Sequence, residues 1–171
     1  MHHSDSSFGK LCEYVTESLR LRELNVSWQC LRPSVFAQFL RVIRDNRFLV
    51  NLTIAWNKLI EDQPAVLTER QIERGLTEVP LSAINTEILD CLAQFIKYNT
   101  YLVHLDVSNC GLIEPALKFL ASFLTKSQAL QCLHLDNNEG VSADVVNWIC
   151  ERVNGRMERN EVNIPPMNKE F

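Results

Sequence analysis

Leu102-Val103-His104-Leu105-Asp106-Val107 returns 28 residues later as Leu130-Gln131-Cys132-Leu133-His134-Leu135. The same interval separates Leu21-Arg22-Glu23-Leu24-Asn25-Val26 from Leu49-Val50-Asn51-Leu52-Thr53-Ile54. Apolar residues at the fourth and sixth positions of each copy alternate with their neighbours, which predicts short strands with one buried face. A fixed period of this length predicts stacked, similar units, an architecture that usually works by presenting a surface.

Helical patterns lie between the strands, because apolar residues recur there at spacings of three and four. Helices are predicted over residues 35–43, 88–96, 116–124 and 142–153, with another that begins at Phe8 and covers the first strand. Asn46 and Asn99 occupy equivalent places and are expected to end their helices. Gly155 is expected to stop the last helix.

One unit is irregular. Leu49 and Leu102 lie 53 residues apart, which is slightly less than two periods. A middle copy is predicted to place its strand at 79–81, but the preceding segment 61–75 offers few apolar side chains. We favour a short or irregular helix there, and the alternative is a protrusion that contacts a partner. Five strands are therefore predicted, near residues 24–26, 52–54, 79–81, 105–107 and 133–135.

The copies fit the template L-x-x-L-x-L-x-x-N/C-x-L of a leucine-rich repeat, with Gln29, Asn57, Cys110 and Asn138 at its ninth position. A 28-residue period with a full helix in each unit resembles the ribonuclease-inhibitor-like class of these repeats, over about residues 8–153. The resemblance implies an α/β fold: a short right-handed solenoid of about five repeats, with a parallel concave sheet and convex helices. Members of this class include inhibitors, Ran GTPase-activating proteins, immune sensors, actin-capping proteins and axonemal subunits, and nearly all bind protein.

The predicted domain organisation has three parts. Residues 1–7 form a flexible N-terminus, and residues 8–155 form the repeat domain with its irregular part near 60–85. Residues 156–171 turn polar, contain Ile164-Pro165-Pro166 and are predicted to be an extended tail.

Composition argues against several function classes. The 171 residues carry a net charge of −4, which does not favour nucleic-acid binding. No apolar stretch is long enough to cross a bilayer, and the first residues show no secretory signal pattern, so no membrane partner and a cytoplasmic location are expected. The six cysteines are widely spread without a C-x-x-C motif, which favours reduced thiols over a disulfide framework or a zinc knuckle.

The candidate partner-binding residues are the side chains expected to point away from the helices. The fifth position of the template contributes Asn25, Thr53, Asp106 and His134, the third contributes His104, and the seventh contributes Asp136 beside Ser108. A ligand on the open face of the sheet would meet these side chains first.

Trp28 and Trp56 fall at the eighth position of consecutive copies, so they are expected to stack along the rim where strand turns into loop. Trp is enriched at protein contacts, so one hypothesis is a paired aromatic anchor for a partner. The alternative, which we favour from sequence, is that each ring fills a loop position and packs on its neighbour.

Asp106 and His134 share one position on adjacent strands, with His104 and Asp136 nearby, and a carboxylate that orients an imidazole is half of a catalytic or metal site. No nucleophile–base pair, phosphate-binding loop or H-E-x-x-H motif accompanies them, and Ser108 lacks an enclosing pocket. A weak surface ion pair is the favoured interpretation. The sequence therefore predicts no catalytic residue, no cofactor site and no metal site.

The leading functional hypothesis is a non-enzymatic protein-interaction module, or a scaffold subunit of a larger hetero-oligomeric assembly. A cytoskeletal or ciliary setting follows from the resemblance alone. The alternative is an activator of a small GTPase, as the Ran-activating relatives are. Arg41, Arg44 and Arg47 form either a basic stripe for an acidic partner or, as we favour, a solvated outer helix face.

Overall fold

The computed structural model describes residues 3–30, 33–60, 72–75 and 87–160 of the chain. Within these residues five helices alternate with four strands, which confirms the predicted α/β class. The helices are α1 (His3–Glu17), α2 (Pro33–Ile43), α3 (Glu87–Tyr98), α4 (Glu114–Leu124) and α5 (Ala143–Asn160). The strands are β1 (Glu23–Asn25), β2 (Asn51–Thr53), β3 (His104–Asp106) and β4 (Cys132–His134). No helix in this part of the chain has the length and apolar composition that a membrane crossing requires.

The four strands lie parallel, in the order in which they occur in the chain. Leu24, Leu52, Leu105 and Leu133 lie opposite one another across the sheet. The 28-residue period is thus the pairing register between β1 and β2 and between β3 and β4. Because side chains alternate along a strand, these leucines point toward the helices and their neighbours point the other way. We call the sheet face that points away from the helices the outer face.

The predicted middle copy does not lie between its neighbours in the sheet. β2 pairs directly with β3, with Asn51 opposite His104, so a strand at 79–81 cannot separate them. α2 likewise packs directly on α3. Residues 79–81 lie outside the described part of the chain. Because β2 and β3 pair directly, the predicted insertion of a fifth strand between them is wrong.

The predicted concave wall is also wrong, because the sheet is not curled. Curvature of a strand-and-helix stack arises because helices need about 10 Å of spacing and strands only about 4.8 Å. This stack does not show that bend: its four strands lie side by side in one sheet that is not curled, and the fifth unit predicted between β2 and β3 is not part of it. A right-handed solenoid of five repeats is therefore not what this part of the chain forms.

One hydrophobic core fills the space between the sheet and the helices. Phe36, Phe39, Leu40 and Ile43 lie on the predicted apolar face of α2 and are at most 2% exposed. α3 and α4 contribute equivalent residues, listed as Ile88, Leu89, Leu92, Phe95, Ile96, Ala116, Leu117, Leu120 and Leu124. The amphipathic spacing read from the sequence is thus confirmed for these three helices.

The two end helices differ from their predicted bounds. α1 already begins at His3, before the predicted start at Phe8, and Phe8 and Val15 anchor it to the core. α5 continues to Asn160, past the expected stop at Gly155. A glycine inside a helix costs only about 1 kcal/mol relative to alanine, so it does not end a helix that other residues favour. The predicted tail beyond residue 160 lies outside the described residues.

Buried polar side chains connect each unit to the one before it. Asn138 accepts hydrogen bonds from the backbone N–H groups of Cys110 and Leu112, and its amide donates to the carbonyls of Val107 and Leu135. Asn57 takes the same place one strand pair earlier, where its amide donates to Val26 and Ile54, and the Cys110 thiol contacts two carbonyl oxygens at 3.4 Å. We call these ninth-position side chains the turn ladder. They satisfy backbone groups in the turns after the strands, where no sheet partner is available.

A second series supports the turns before the strands. Asn99 accepts hydrogen bonds from the N–H groups of Tyr101 and Leu102, and its amide donates to the carbonyls of Arg44 and Asn46. Asn46, Ser18 and Ser127 hold equivalent turns with their side-chain oxygens. Asn46 and Asn99, expected only to end helices, therefore also fix where the next strand begins.

Candidate functional site

The predicted row Asn25, Thr53, Asp106 and His134 exists on the outer face, because these residues are register partners on the four strands. Two of them have a local structural task. The Oδ1 atom of Asn25 accepts a hydrogen bond from the Ser27 N–H at 2.9 Å, and the Oδ1 atom of Asp106 accepts one from the Ser108 N–H at the same distance. These side chains shape the turn after their strands, and Thr53 and His134 do not share that task.

The seventh position of the template does not point outward throughout. Ala55 and Ser108 are buried, at 5% and 8% exposure, whereas Asp136 is exposed. The prediction that Ser108 lies exposed beside Asp136 is therefore wrong. The strands end before this position, and the chain turns inward there, so strand alternation no longer determines the side-chain direction.

Trp28 and Trp56 stack at the edge of the outer face, with ring centroids 4.2 Å apart and an interplanar angle of 11°. The rings remain 62% and 45% exposed, respectively. The backbone N–H of Trp28 donates to the carbonyl of Ala55, so the two turns carrying the rings are themselves hydrogen bonded. The stack predicted from their shared template position is present, and most of one ring and nearly half of the other face solvent.

Both tryptophans have left-handed backbone conformations, with φ of 61° at Trp28 and 59° at Trp56. The equivalent residues of the other two units, Asn109 and Asn137, have φ of 53° and 55°. Every unit therefore requires a left-handed residue at this turn. Asparagine adopts this conformation readily, whereas a bulky residue does so at a cost of about 1–2 kcal/mol. The first two units thus carry the residue type that the backbone disfavours.

A second group of side chains lies at the opposite end of the outer face. His104, Cys132 and His134 place one nitrogen or sulfur atom each within 4.8 Å of the others. The Cys132 Sγ lies 3.4 Å from the His134 Nε2, and the two imidazole rings meet edge to face with centroids 4.7 Å apart. We call these three residues the Cys–His cluster.

The carboxylate that faces His134 is not the predicted one. The Asp136 Oδ2 lies 3.9 Å from the His134 Nδ1, while Asp106 holds the backbone of its own turn. Sequence reasoning paired Asp106 with His134 and did not connect Cys132 with that pair. The signal that would have united the cluster is the spacing C-x-H on one strand with His104 as the register partner of the cysteine.

The thiols differ in environment. Burial raises the pKa of the Cys110 thiol to about 12, and its side chain is fully buried in the turn ladder. Partial desolvation, and secondarily the Asp106 carboxylate, raises the pKa of Cys132, which is exposed. Cys110 is thus a structural thiol of the turn ladder.

Arg41 of α2 and Arg44 of the following turn are both solvated and paired. Arg41 donates to the Glu87 carboxylate of α3 at 2.8 Å, and Arg44 makes two 3.1 Å contacts with Asp45. Both guanidinium groups remain about half exposed. The charges are partly neutralised within the chain, which favours the outer-helix-face interpretation over a basic stripe.

No protein-family model and no curated protein sequence matches the chain. Among solved structures, a tropomodulin C-terminal domain from Caenorhabditis elegans is similar at 11% identity and a TM-score of 0.42, covering 94% of this chain and 96% of that one. A structure described as Leiomodin-1 Actin-Binding Site 2 is similar at 16% identity and a TM-score of 0.46, covering 90% of this chain and 91% of that one.

The assignment to the ribonuclease-inhibitor-like class of leucine-rich repeats is not borne out. No family model of that class matches the chain, and the structures found are described as a tropomodulin C-terminal domain and as Leiomodin-1 Actin-Binding Site 2. The architecture is an α/β stack with a four-stranded parallel sheet and five helices over the described residues. The period in the sequence is real, but it does not determine the family.

Proposed function

We propose that this chain is a non-enzymatic protein-interaction module and that the stacked pair Trp28–Trp56 is the centre of its contact surface. The observation that carries the proposal is the left-handed backbone of both tryptophans. Strain kept at a residue type the backbone disfavours is more frequent at functional sites than elsewhere, and the other units show that asparagine suits the same turn.

The energy of stacking alone does not explain why tryptophan occupies both left-handed turns. An aromatic pair contributes about 0.5–1.5 kcal/mol beyond its buried area. Two bulky left-handed residues cost about 1–2 kcal/mol each, so in the free chain the strain is at least comparable with the stacking gain. Burial of the covered parts of the rings offsets this strain, but the exposed parts contribute nothing to folding stability, and they are what folding leaves unexplained.

Burial by a partner protein better explains why two tryptophans are kept exposed at these turns. A tryptophan buries about 150–250 Å² when fully covered, so the exposed fractions of 62% and 45% leave about 200 Å² of the pair in water. At about 25 cal/mol per Å², covering that area would contribute about 5 kcal/mol before the costs of association. Interfaces concentrate their energy in such aromatic anchors, surrounded by polar residues.

Polar residues do surround the pair. Asn25 and Thr53 lie on the neighbouring strands of the outer face, and Gln29 donates from its side chain to the Ser27 carbonyl at 3.0 Å. These groups supply a hydrogen-bonding rim beside the rings. His104, Asp106, His134 and Asp136 lie toward the other end of the same face and would extend the contact with a large partner.

Membership of a hetero-oligomeric, cytoskeletal assembly is the finer part of the proposal. Actin, which the description of the leiomodin structure names, is the first partner to test. At a TM-score of 0.46 that likeness shows no partner for this chain, so the proposal depends on the tryptophan pair. Neither a ciliary setting nor a small-GTPase activator is supported by the comparisons.

The test replaces both tryptophans with asparagine, the residue that the other two units have at the equivalent position. Replacing Trp28→Asn and Trp56→Asn together places in both turns the residue found at Asn109 and Asn137. Binding is measured by sedimentation with filamentous actin and, for other partners, by proximity cross-linking in native extract followed by affinity measurement. We expect at least about 30-fold weaker binding, since a hot spot contributes 2 kcal/mol or more, and an unfolding temperature that does not fall by more than a few degrees.

Tyr101→Asn is the matched control, because Tyr101 is 45% exposed, as Trp56 is, but lies before β3 and outside the pair. It should leave affinity unchanged. If the double variant binds the cross-linked partner as tightly as the native chain does, the pair is not the contact centre. If it instead unfolds, the pair is a packing device and the strain argument fails.

A further inference from the structure

We propose that His104, Cys132 and His134 form a binding site for one Zn²⁺ ion on the outer face, with a thiolate and two imidazoles as its ligands. All three donor atoms lie within 4.8 Å of one another before any ion is considered. A thiolate with two imidazoles is a donor set that zinc favours. The proposal departs from the sequence-based prediction of no metal site, and it is independent of the tryptophan pair.

The strands themselves bring the ligands together. His104 and Cys132 are directly opposite each other on β3 and β4, and His134 follows Cys132 by two residues, so all three point to one side of the sheet. Leu105 and Leu133 lie between them on the other side and pack into the core. Ligands on a rigid sheet keep their geometry better than ligands on a loop.

The distances suit a tetrahedral ion. With Zn–S of about 2.3 Å and Zn–N of about 2.0–2.1 Å, two ligand atoms of a tetrahedral site lie about 3.3–3.6 Å apart. The Cys132 Sγ and His134 Nε2 are already 3.4 Å apart. The donor atom of His104 lies within 4.8 Å of the other two, so it would have to move by no more than about 1.5 Å to reach the spacing of a tetrahedral site.

An independent observation points to a missing ligand. The Nε2 atom of His104 is buried and has no hydrogen-bond partner among the described residues. Buried polar atoms in native structures are nearly always satisfied, and an exception calls for an explanation such as an ion or an ordered water. A metal ion beside Cys132 and His134 would satisfy this nitrogen.

The surroundings support the same assignment. Metal-bound histidines usually direct their second ring nitrogen toward a carboxylate, which fixes the ring and strengthens the ligand. The Nδ1 of His134 lies 3.9 Å from the Asp136 Oδ2, while its Nε2 faces Cys132. Three protein ligands on an open face leave a fourth position for a water molecule.

The experiment measures zinc bound after equilibrium dialysis, and the absorption of the Co²⁺-loaded protein, which reports thiolate coordination directly. The background carries His2→Ala and His3→Ala, because these are the other two of the four histidines in the chain and could bind metal by themselves. We expect one equivalent of Zn²⁺, a sulfur-to-cobalt charge-transfer band, and a rise in unfolding temperature on adding Zn²⁺.

Cys132→Ser and His104→Ala should each weaken Zn²⁺ binding by more than about 100-fold, and Asp136→Asn by about 10- to 100-fold as a supporting residue. Cys30→Ser is the matched control, since Cys30 is equally exposed but lies outside the cluster. Cys132 is exposed, so its variant should fold even if His104→Ala does not. A background protein that retains no zinc, or zinc whose stoichiometry and affinity survive Cys132→Ser, overturns the proposal.

Discussion

Asn138→Ala tests how far the turn ladder stabilises the fold. The Asn138 side chain is 5% exposed and makes four hydrogen bonds to backbone groups, at distances from 2.8 to 3.1 Å. The side chain of asparagine can donate two and accept two hydrogen bonds, so its capacity is fully used. Alanine removes all four bonds and leaves the backbone groups of Cys110, Leu112, Val107 and Leu135 without this partner.

The expected loss of folding stability follows from the number of hydrogen bonds removed. A net contribution of about 1 kcal/mol per hydrogen bond gives about 4 kcal/mol, and the desolvation of orphaned N–H groups can only add to it. A domain of this size is stable by about 5–15 kcal/mol in total, so the variant should approach the limit of folding. With about 2–4 °C per kcal/mol, its unfolding temperature should fall by about 8–16 °C.

The assay is urea unfolding followed by circular dichroism, with the free energy of unfolding taken by linear extrapolation. Asn147→Ala, at an exposed position of α5, is the control and should change stability by less than about 0.5 kcal/mol. Asn138→Cys should fall between the two, because Cys110 shows that a thiol can approach two carbonyl groups at this template position but does not accept as an amide oxygen does. A loss below about 1 kcal/mol in Asn138→Ala would refute the reasoning.

Two further predictions concern the same turns. Burial raises the pKa of Cys110 from 9.0 to about 12, so the folded state holds this proton more tightly than the unfolded state does. Below pH 9 this thiol therefore leaves the free energy of unfolding unchanged. Between pH 9 and 12 it lowers the free energy of unfolding by about 1.4 kcal/mol per pH unit. Urea unfolding at several pH values should show this slope in the native chain and lose it in Cys110→Ala, and equal slopes would contradict the assignment. Gly140→Ala should lower stability by about 2–4 kcal/mol, because its Cβ would overlap the backbone at Ile113 and Glu114 where α4 begins. Gly9→Ala, in open space on α1, should instead raise the unfolding temperature slightly, and a harmless Gly140→Ala would show that the two turns can move apart.

The sequence predicts much of this fold because one physical requirement recurs in every unit. A strand that pairs in parallel with its predecessor must bury the same positions, so the 28-residue period became the register that places Leu24 opposite Leu52 and Leu105 opposite Leu133. The apolar faces of the helices were readable for the same reason. Where the period breaks, the prediction fails: the apolar residues around 79–81 matched the strand pattern, but β2 and β3 pair without them.

The candidate site was less readable, since it depends on contacts between units. A shared template position was enough to predict the stack of Trp28 on Trp56, but not their left-handed backbones, which only the dihedral angles reveal. The Cys–His cluster was missed because Cys132 was considered alone and His134 was paired with Asp106. The backbone of the turn after each strand, which alternation along a strand does not determine, decided the first outcome. The second outcome followed from strand register, which places His104 opposite Cys132.

The two polar series explain how one repeated backbone can carry two different surfaces. Asn99 and Asn138 satisfy the turns from inside, so the backbone of each unit depends only in part on what its outer face presents. The third, fifth and eighth template positions can then differ between units, which is why an aromatic pair occupies one end of the outer face and the Cys–His cluster the other. If this division holds, Trp28→Asn and Cys132→Ser change binding with little change in folding stability. Asn138→Ala instead lowers folding stability and leaves binding by the folded protein unchanged. A substitution in the turn ladder that altered binding without lowering the free energy of unfolding would show that the inner and outer positions are coupled.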